Sequence, residues 1–195
     1  MKISLRDLEA ARSNPRGFSG RPGGFYRMSK QRILQLAALE FHRRHEDSNA
    51  ANAYFQQHFR KNFKNTTDLP FFEAQLARYC QQFISLGMAV AAIKPRISMP
   101  ISSRMEIVGE VPRLDLASDG GYAAWLFGKQ QVAWRGELRW PMLQRYFATS
   151  MGVSVSLVSV GMYFFEAGIY ERTRYSDTEI VEASAECRRI GRNIS

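Results

Sequence analysis

The stretch that decides the fold is Met105-Glu106-Ile107-Val108-Gly109-Glu110-Val111-Pro112-Arg113-Leu114-Asp115-Leu116, followed by Ser118-Asp119-Gly120-Gly121 and then Tyr122-Ala123-Ala124-Trp125-Leu126-Phe127. The first part is long and β-prone. The four residues after it tolerate the positive φ of a tight turn and predict a hairpin. Tyr122 to Phe127 is then the returning partner strand.

On the C-terminal side, Gly128 to Gly136 reads as a polar connection containing Trp134. A helix follows from Glu137 to Met151, starting near Pro141, with Leu143, Tyr146 and Phe147 inward. Val153 to Val160 alternates apolar with small polar residues and runs on into Met162-Tyr163-Phe164-Phe165, the strongest strand pattern in the chain. Ser176-Asp177-Thr178-Glu179 is a capping box that opens a terminal helix to about Ile190. On the N-terminal side, Met88 to Ile93 is a short apolar run fit for a buried strand. Pro95 to about Ile101 is extended, with Pro100 restricting it to an edge or a break. Phe71, Phe72, Leu76, Tyr79, Phe83 and Leu86 mark a helix ending at Gly87. Ser48 to about Lys64 forms another helix, and Ser29 caps one through His45. Residues 17–24 hold four glycines and Pro22 and read as a loop. Ser4 to Asp7 resembles a capping box for a short helix through Arg12.

This order predicts a single α+β domain spanning 1–195. A basic helical region, 1–67, precedes an α/β core, 68–195, built strand-strand-strand-helix-strand around a mixed sheet with helices on both sides. At 195 residues the chain has room for a real core, and 45% hydrophobic with 23% charged residues is not the composition of a disordered chain. No apolar run reaches the roughly 18 residues of a membrane-spanning helix. Charge at Lys2, Arg6 and Asp7 does not suit a signal peptide. The expected setting is the cytoplasm, without membrane attachment. Two cysteines, Cys80 and Cys187, cannot build a disulfide framework or a four-cysteine zinc or iron–sulfur site.

The net charge of +9 is unevenly spread. Residues 1–64 hold 13 Lys and Arg against 5 Asp and Glu, a net of +8, whereas residues 65–195 hold 14 against 13, a net of +1. A basic segment on a neutral body points to a polyanion, with nucleic acid first. By position and charge, the expected phosphate contacts are Arg12, Arg16, Arg43, Arg44, Arg60, Lys61 and Lys64.

The chain resembles the RecB-like branch of the PD-(D/E)XK nuclease superfamily, which includes CRISPR-associated exonucleases and the nuclease domains of recombination helicases. Ile3 to Glu9 followed by Asn14-Pro15-Arg16-Gly17-Phe18 is similar to the family's opening S-x-S-x-L … C-P-x-x-F. Ala38-Leu39-Glu40-Phe41-His42 resembles its G-x-x-x-H helix. Val108 to Asp115 resembles its G-x-(I/V)-D-R-(I/V)-D strand. Gly121 to Phe127 takes the place of its (I/V)-D-Y-K strand, and Met142 to Ala148 that of its Q-x-x-x-Y-A helix. The resemblance spans nearly the whole chain and rests on the order of individually weak motifs. It implies a restriction-endonuclease-like fold and work beside helicases or in defence and recombination complexes.

The departures bear on activity. Family members bring two carboxylates and a lysine to a divalent metal that activates water. Here Pro112 stands at the first metal aspartate, and Trp125 and Phe127 stand at the acid and the lysine. No carboxylate lies between Asp119 and Glu137. The resemblance therefore implies an inactive nuclease that binds nucleic acid or assembles with partner subunits, with no catalytic residue, metal or cofactor. An active alternative would be a divergent DNA nuclease using Mg²⁺ or Mn²⁺ with His42, Asp115 and Lys129. A third reading is a protein-interaction subunit that does not touch nucleic acid. The family's iron–sulfur subgroup has an early cysteine where this chain has Ser13 or Asn14, so no cluster is expected. Glu106 and Glu110 read as solvent-facing. His42, His45 and Glu46 have the residue types of a zinc site, but Arg43 and Arg44 between them disfavour a cation. Cys80 reads as a buried small hydrophobe, and Trp134 as packing or a base-stacking surface.

Overall fold

The computed structural model describes residues 1–19, 28–117 and 120–194. A short strand, β1 (Lys2–Ser4), and a helix, α1 (Leu8–Ser13), come first. Three helices follow: α2 (Lys30–Arg43), α3 (Ser48–Asn62) and α4 (Leu69–Ser85). Then come β2 (Ala89–Ile93), β3 (Arg96–Ser102), β4 (Met105–Glu110), β5 (Arg113–Leu116) and β6 (Tyr122–Gly128). The chain closes with α5 (Arg139–Met151), β7 (Val158–Phe164), β8 (Ile169–Thr173) and α6 (Asp177–Asn193).

The helix ends follow local chemistry. Ser29 Oγ accepts from Arg32 N at 3.1 Å and starts α2. Asp47 caps α3 through Asn49 N and Ala50 N. Ser176 and Glu179 form the full capping box of α6. Gly152, at φ 66°, ends α5 in the left-handed conformation that glycine adopts without steric cost.

The strands form two sheets. The larger has the order β2-β5-β6-β7-β8 and is antiparallel except for β6 and β7, which run parallel through the α5 crossover. The smaller has the order β1-β4-β3. Residues 105–116 are extended as expected, but they bend at Val111-Pro112 and serve both sheets as β4 and β5. The preceding arm bends beside them at Lys94-Pro95. The two corners are tied by Lys94 N to Pro112 O at 2.9 Å and Val111 N to Pro95 O at 3.1 Å. Proline cannot continue a ladder, so two prolines side by side turn a long hairpin from one sheet to the other. The expected buried strand at 88–93 is β2, an outer strand with Ala89 and Ala91 exposed. Of the predicted strand from Val153, residues 155–157 form a short 3₁₀ turn and pairing begins at Val158. Ser118 and Asp119 of the predicted turn, and residues 20–24 of the predicted glycine loop, lie outside the described residues.

Alternation on the large sheet separates two cores. Leu114, Ala124, Val158, Val160, Met162 and Phe164 face α5, α6 and the small sheet. Tyr163 and Phe165 face α2, α3 and α4, joined by the half-buried Phe127. Arg113, Asp115 and Trp125 share that second face by strand parity. Gly161 makes room there, since a Cβ on it would meet the Trp125 ring at 2.5 Å. The N-terminal region is not wholly helical, because β1 pairs in parallel with β4.

Candidate functional site

The middle of the large sheet buries a guanidinium. Arg113 on β5 is fully buried, as is Asp115 two residues on. Asp115 Oδ1 and Oδ2 lie 2.8 and 2.9 Å from Arg113 Nε. From the helical layer, α2 brings His42 and α4 brings Tyr79. Arg113 Nη1 lies 3.0 Å from His42 Nε2 and also donates to the Tyr79 hydroxyl, which is 2.7 Å from the same His42 nitrogen. The guanidinium carbon sits 4.6 Å from the Phe83 ring centre, 5.5 Å from Tyr79, 5.6 Å from Tyr170 and 5.9 Å from Trp125. Aromatic faces attract a desolvated cation strongly, so four rings and one carboxylate together hold this charge.

Protonation follows from these contacts. Burial and the neighbouring Arg113 cation hold the His42 imidazole neutral, with its pKa lowered to about 2. A guanidinium only donates, so Nε2 accepts and the ring proton is assigned to Nδ1, which lies 3.8 Å from Glu46 Oε1. Burial pushes the Asp115 carboxyl up to about 6, against the opposing pull of Arg113. Burial works against the Arg113 charge, but the phenols of Tyr79 and Tyr170 and the Asp115 carboxylate outweigh it and raise its pKa.

These shifts give a pH dependence. Below about pH 6.5 the unfolded chain protonates His42 and the native chain does not, so stability falls as pH drops. Asp115 acts oppositely between about pH 6 and pH 4, because there the native chain holds a proton that the unfolded one lacks. The two effects offset in that window, and below about pH 4 only the His42 loss remains. Urea melts are expected to show the wild type losing more stability than His42→Gln between pH 4 and pH 3, on the order of 1 kcal/mol.

Of the three residues named for an active nuclease, His42 and Asp115 come together, but on either side of Arg113. Lys129 does not join them. It lies beyond the end of β6, exposed, with Glu166 at 3.5 Å. Among the described residues no group of three or more His, Cys, Asp and Glu side chains is placed to hold a metal ion. His45 is exposed, and the His42, His45 and Glu46 run is not among such groups. Glu106 and Glu110 face outward, paired with Lys2 at 3.5 Å and Lys94 at 3.0 Å. Cys80 and Cys187 are free and buried, and burial pushes each thiol up to about 12. Trp134 is core: its ring lies 4.5 Å from Trp140 and its indole N–H donates to Glu171 at 3.0 Å.

The basic residues fall into three places. Arg12 and Arg16 belong to α1 and the loop after it, and Arg12 lies within 4 Å of Glu9 and Glu186. Arg43 and Arg44, at the end of α2, pair with Glu40 at 3.4 and 2.9 Å. Arg60, Lys61 and Lys64 end α3 and are exposed, with no carboxylate partner among the described residues. Residues 44–47 join α2 to α3, so the last two groups lie at opposite ends of α3, roughly 20 Å apart for its 15 residues. Lys30, at the start of α2, belongs to the Arg60 end: its Nζ is 5.5 and 5.4 Å from the Phe59 and Phe63 rings and 2.6 Å from Asp68. Exposed Arg32 adds a charge there.

Sequence reasoning missed Arg113 as the centre of the site, along with Tyr79, Phe83 and Tyr170. An arginine two residues before an aspartate in an otherwise apolar strand is the signal that could have found it, since such a pair cannot be buried unpaired. Known protein-family models and curated proteins offer no match to this chain. Among the described residues no helix is long and apolar enough to cross a membrane.

Proposed function

We propose that this chain is a nuclease-like protein that has lost metal-dependent cleavage and serves as a nucleic-acid-binding or assembly subunit, in the cytoplasm, within a defence or recombination complex. One observation carries the loss of cleavage. Arg113 pairs in register directly opposite Trp125, the position matched to the second metal acid, and its guanidinium lies between His42 and Asp115. A cation therefore occupies the middle of the residues matched to the metal centre.

Mg²⁺ or Mn²⁺ does not fit there. Each needs carboxylate and water oxygens with room around them, whereas Asp115 is buried and bound to Arg113. No reaction step is assigned to a metal at this place. The nuclease-like reading of the fold is supported by β2, β5 and β6 as an antiparallel meander, followed by α5 and a β7 parallel to β6. In chain order β3 and β4, which belong to the smaller sheet, stand between β2 and β5. The defence or recombination setting rests on the resemblance alone.

Nucleic-acid binding is supported by Arg60, Lys61 and Lys64 at and just past the end of α3, exposed and without a carboxylate partner among the described residues. Mobility shifts with labelled single-stranded and duplex DNA at 50 and 200 mM salt test it. Binding that weakens steeply with salt is expected. Lack of binding even at low salt would overturn the nucleic-acid reading in favour of a pure protein-interaction subunit.

A further inference from the structure

A second feature lies on the other side of the large sheet. Between α5, α6 and the outer strand β3 is a cavity of about 330 Å³. Met99 and Met142 form its apolar floor, both buried. Tyr146 forms one wall, positioned by its hydroxyl donating to Arg96 O at 3.2 Å. Arg145 and Arg188 stand at its exposed mouth. Arg145 Nη1 donates to Ser184 Oγ at 2.6 Å, and that buried hydroxyl donates in turn to Ile180 O at 2.7 Å. One corner of the Arg145 fork is thus fixed while its other donors are left over. Neither arginine has a carboxylate partner among the described residues. That sets them apart from their neighbour Arg189, which pairs with Glu186 at 2.6 Å.

Two guanidinium forks without a carboxylate partner among the described residues, beside an aromatic wall and a polarizable thioether floor, suit a ligand with an oxyanion at one end and a flat apolar ring at the other. Guanidinium matches phosphate geometry in pairs of parallel hydrogen bonds. Tyrosine stacks on any base, and methionine adapts to an aromatic edge. Ser98 and Ser150 also line the cavity, but their hydroxyls are engaged by Glu106 and by Tyr146 O. The volume lies at the lower end of small-ligand sites, about 300 to 1,000 Å³, which favours a single nucleotide over a dinucleotide.

We propose that this cavity binds one nucleoside monophosphate unit, with the phosphate on Arg145 and Arg188 and the base against Tyr146, Met99 and Met142. The unit has two sources, a free nucleotide or the phosphorylated end of a strand. This inference does not rest on the basic end of α3. Titration calorimetry on the full chain tests it with AMP, adenosine, a 5′-phosphorylated pentanucleotide and decanoate.

The expected result is saturable AMP binding, with adenosine weaker on the order of tenfold or more. Arg188→Glu should weaken AMP on the order of tenfold or more, as should Arg145→Ala, which removes the second fork. Circular dichroism identifies a folded variant, and Arg188, being exposed, gives a readout even if Arg145→Ala fails to fold. Binding of the pentanucleotide alone, lost in Arg188→Glu, assigns the site to a strand end and equally supports it. The Arg60→Ala/Lys61→Ala/Lys64→Ala variant should bind AMP unchanged, which separates this site from the α3 surface. Failure of both phosphorylated ligands to bind, unchanged affinity in Arg188→Glu, or binding of decanoate instead of AMP would overturn the proposal.

Discussion

Asp115→Ala is expected to destabilise the protein by about 3–5 kcal/mol, the cost of leaving one partner of a buried ion pair alone. Domains of ordinary stability hold only about 5–15 kcal/mol in all, so this single change takes a large share. The mechanism is specific. Arg113 cannot lose its proton, and removing Asp115 strands a cation in the core. The reciprocal change is milder at low pH. In Arg113→Met the remaining carboxyl can take a proton, and a thioether packs well against the Phe83 and Trp125 rings. The double variant Arg113→Met/Asp115→Leu should recover most of the loss, since apolar replacement of a buried pair is often neutral or stabilising. Chemical denaturation of the three variants checks this. A double variant no more stable than Asp115→Ala would mean that the ion pair is not the source of the loss.

The second large effect concerns the α3 end. Replacing Arg60, Lys61 and Lys64 together with alanine is expected to lower DNA affinity on the order of a hundredfold at about 0.1 M salt. It should also reduce the slope of log K against log salt by about 3, near one unit per phosphate contact. Arg43→Ala/Arg44→Ala should do much less, because both arginines already pair with Glu40. Stability should scarcely move in either variant, the side chains being at the surface. Equal losses from both sets would mean that binding follows overall charge and not this end of the helix pair.

Much of the architecture was legible in the sequence because it rests on local signals. Ser29 and the box at Ser176 and Glu179 mark helix starts by their own chemistry, and Gly87 and Gly152 mark ends. The strands β5 and β6 declare themselves by a turn and alternation. What was not legible depended on partners distant in the chain. Only Ile3 of β1 is apolar, and β8 is a polar outer strand, so neither shows a pattern until β4 and β7 pair with it. The bend at Pro112 decided more: it moves Asp115 into a different sheet from Glu106 and Glu110, and strand parity alone cannot foresee that.

The candidate site was legible in part. His42 and Asp115 are picked out by resemblance, and both contact Arg113, which lies between them. Arg113, between them, was passed over because an arginine in a strand reads as a surface residue until its burial is known. The pairing of the basic residues was not legible either. Counting charges cannot tell which arginines have an acid within one helical turn, and Glu40 alone accounts for two of the seven expected contacts.

In the proposed reading, an internal guanidinium stands where a nuclease of this type would hold its metal. The most direct measurement is a cleavage assay with Mg²⁺ or Mn²⁺ on labelled DNA, at protein concentrations that shift all of it in a gel. Fully bound and uncut DNA is expected with either metal. Metal-dependent cutting that disappears in a folded Asp115→Asn variant would contradict that reading.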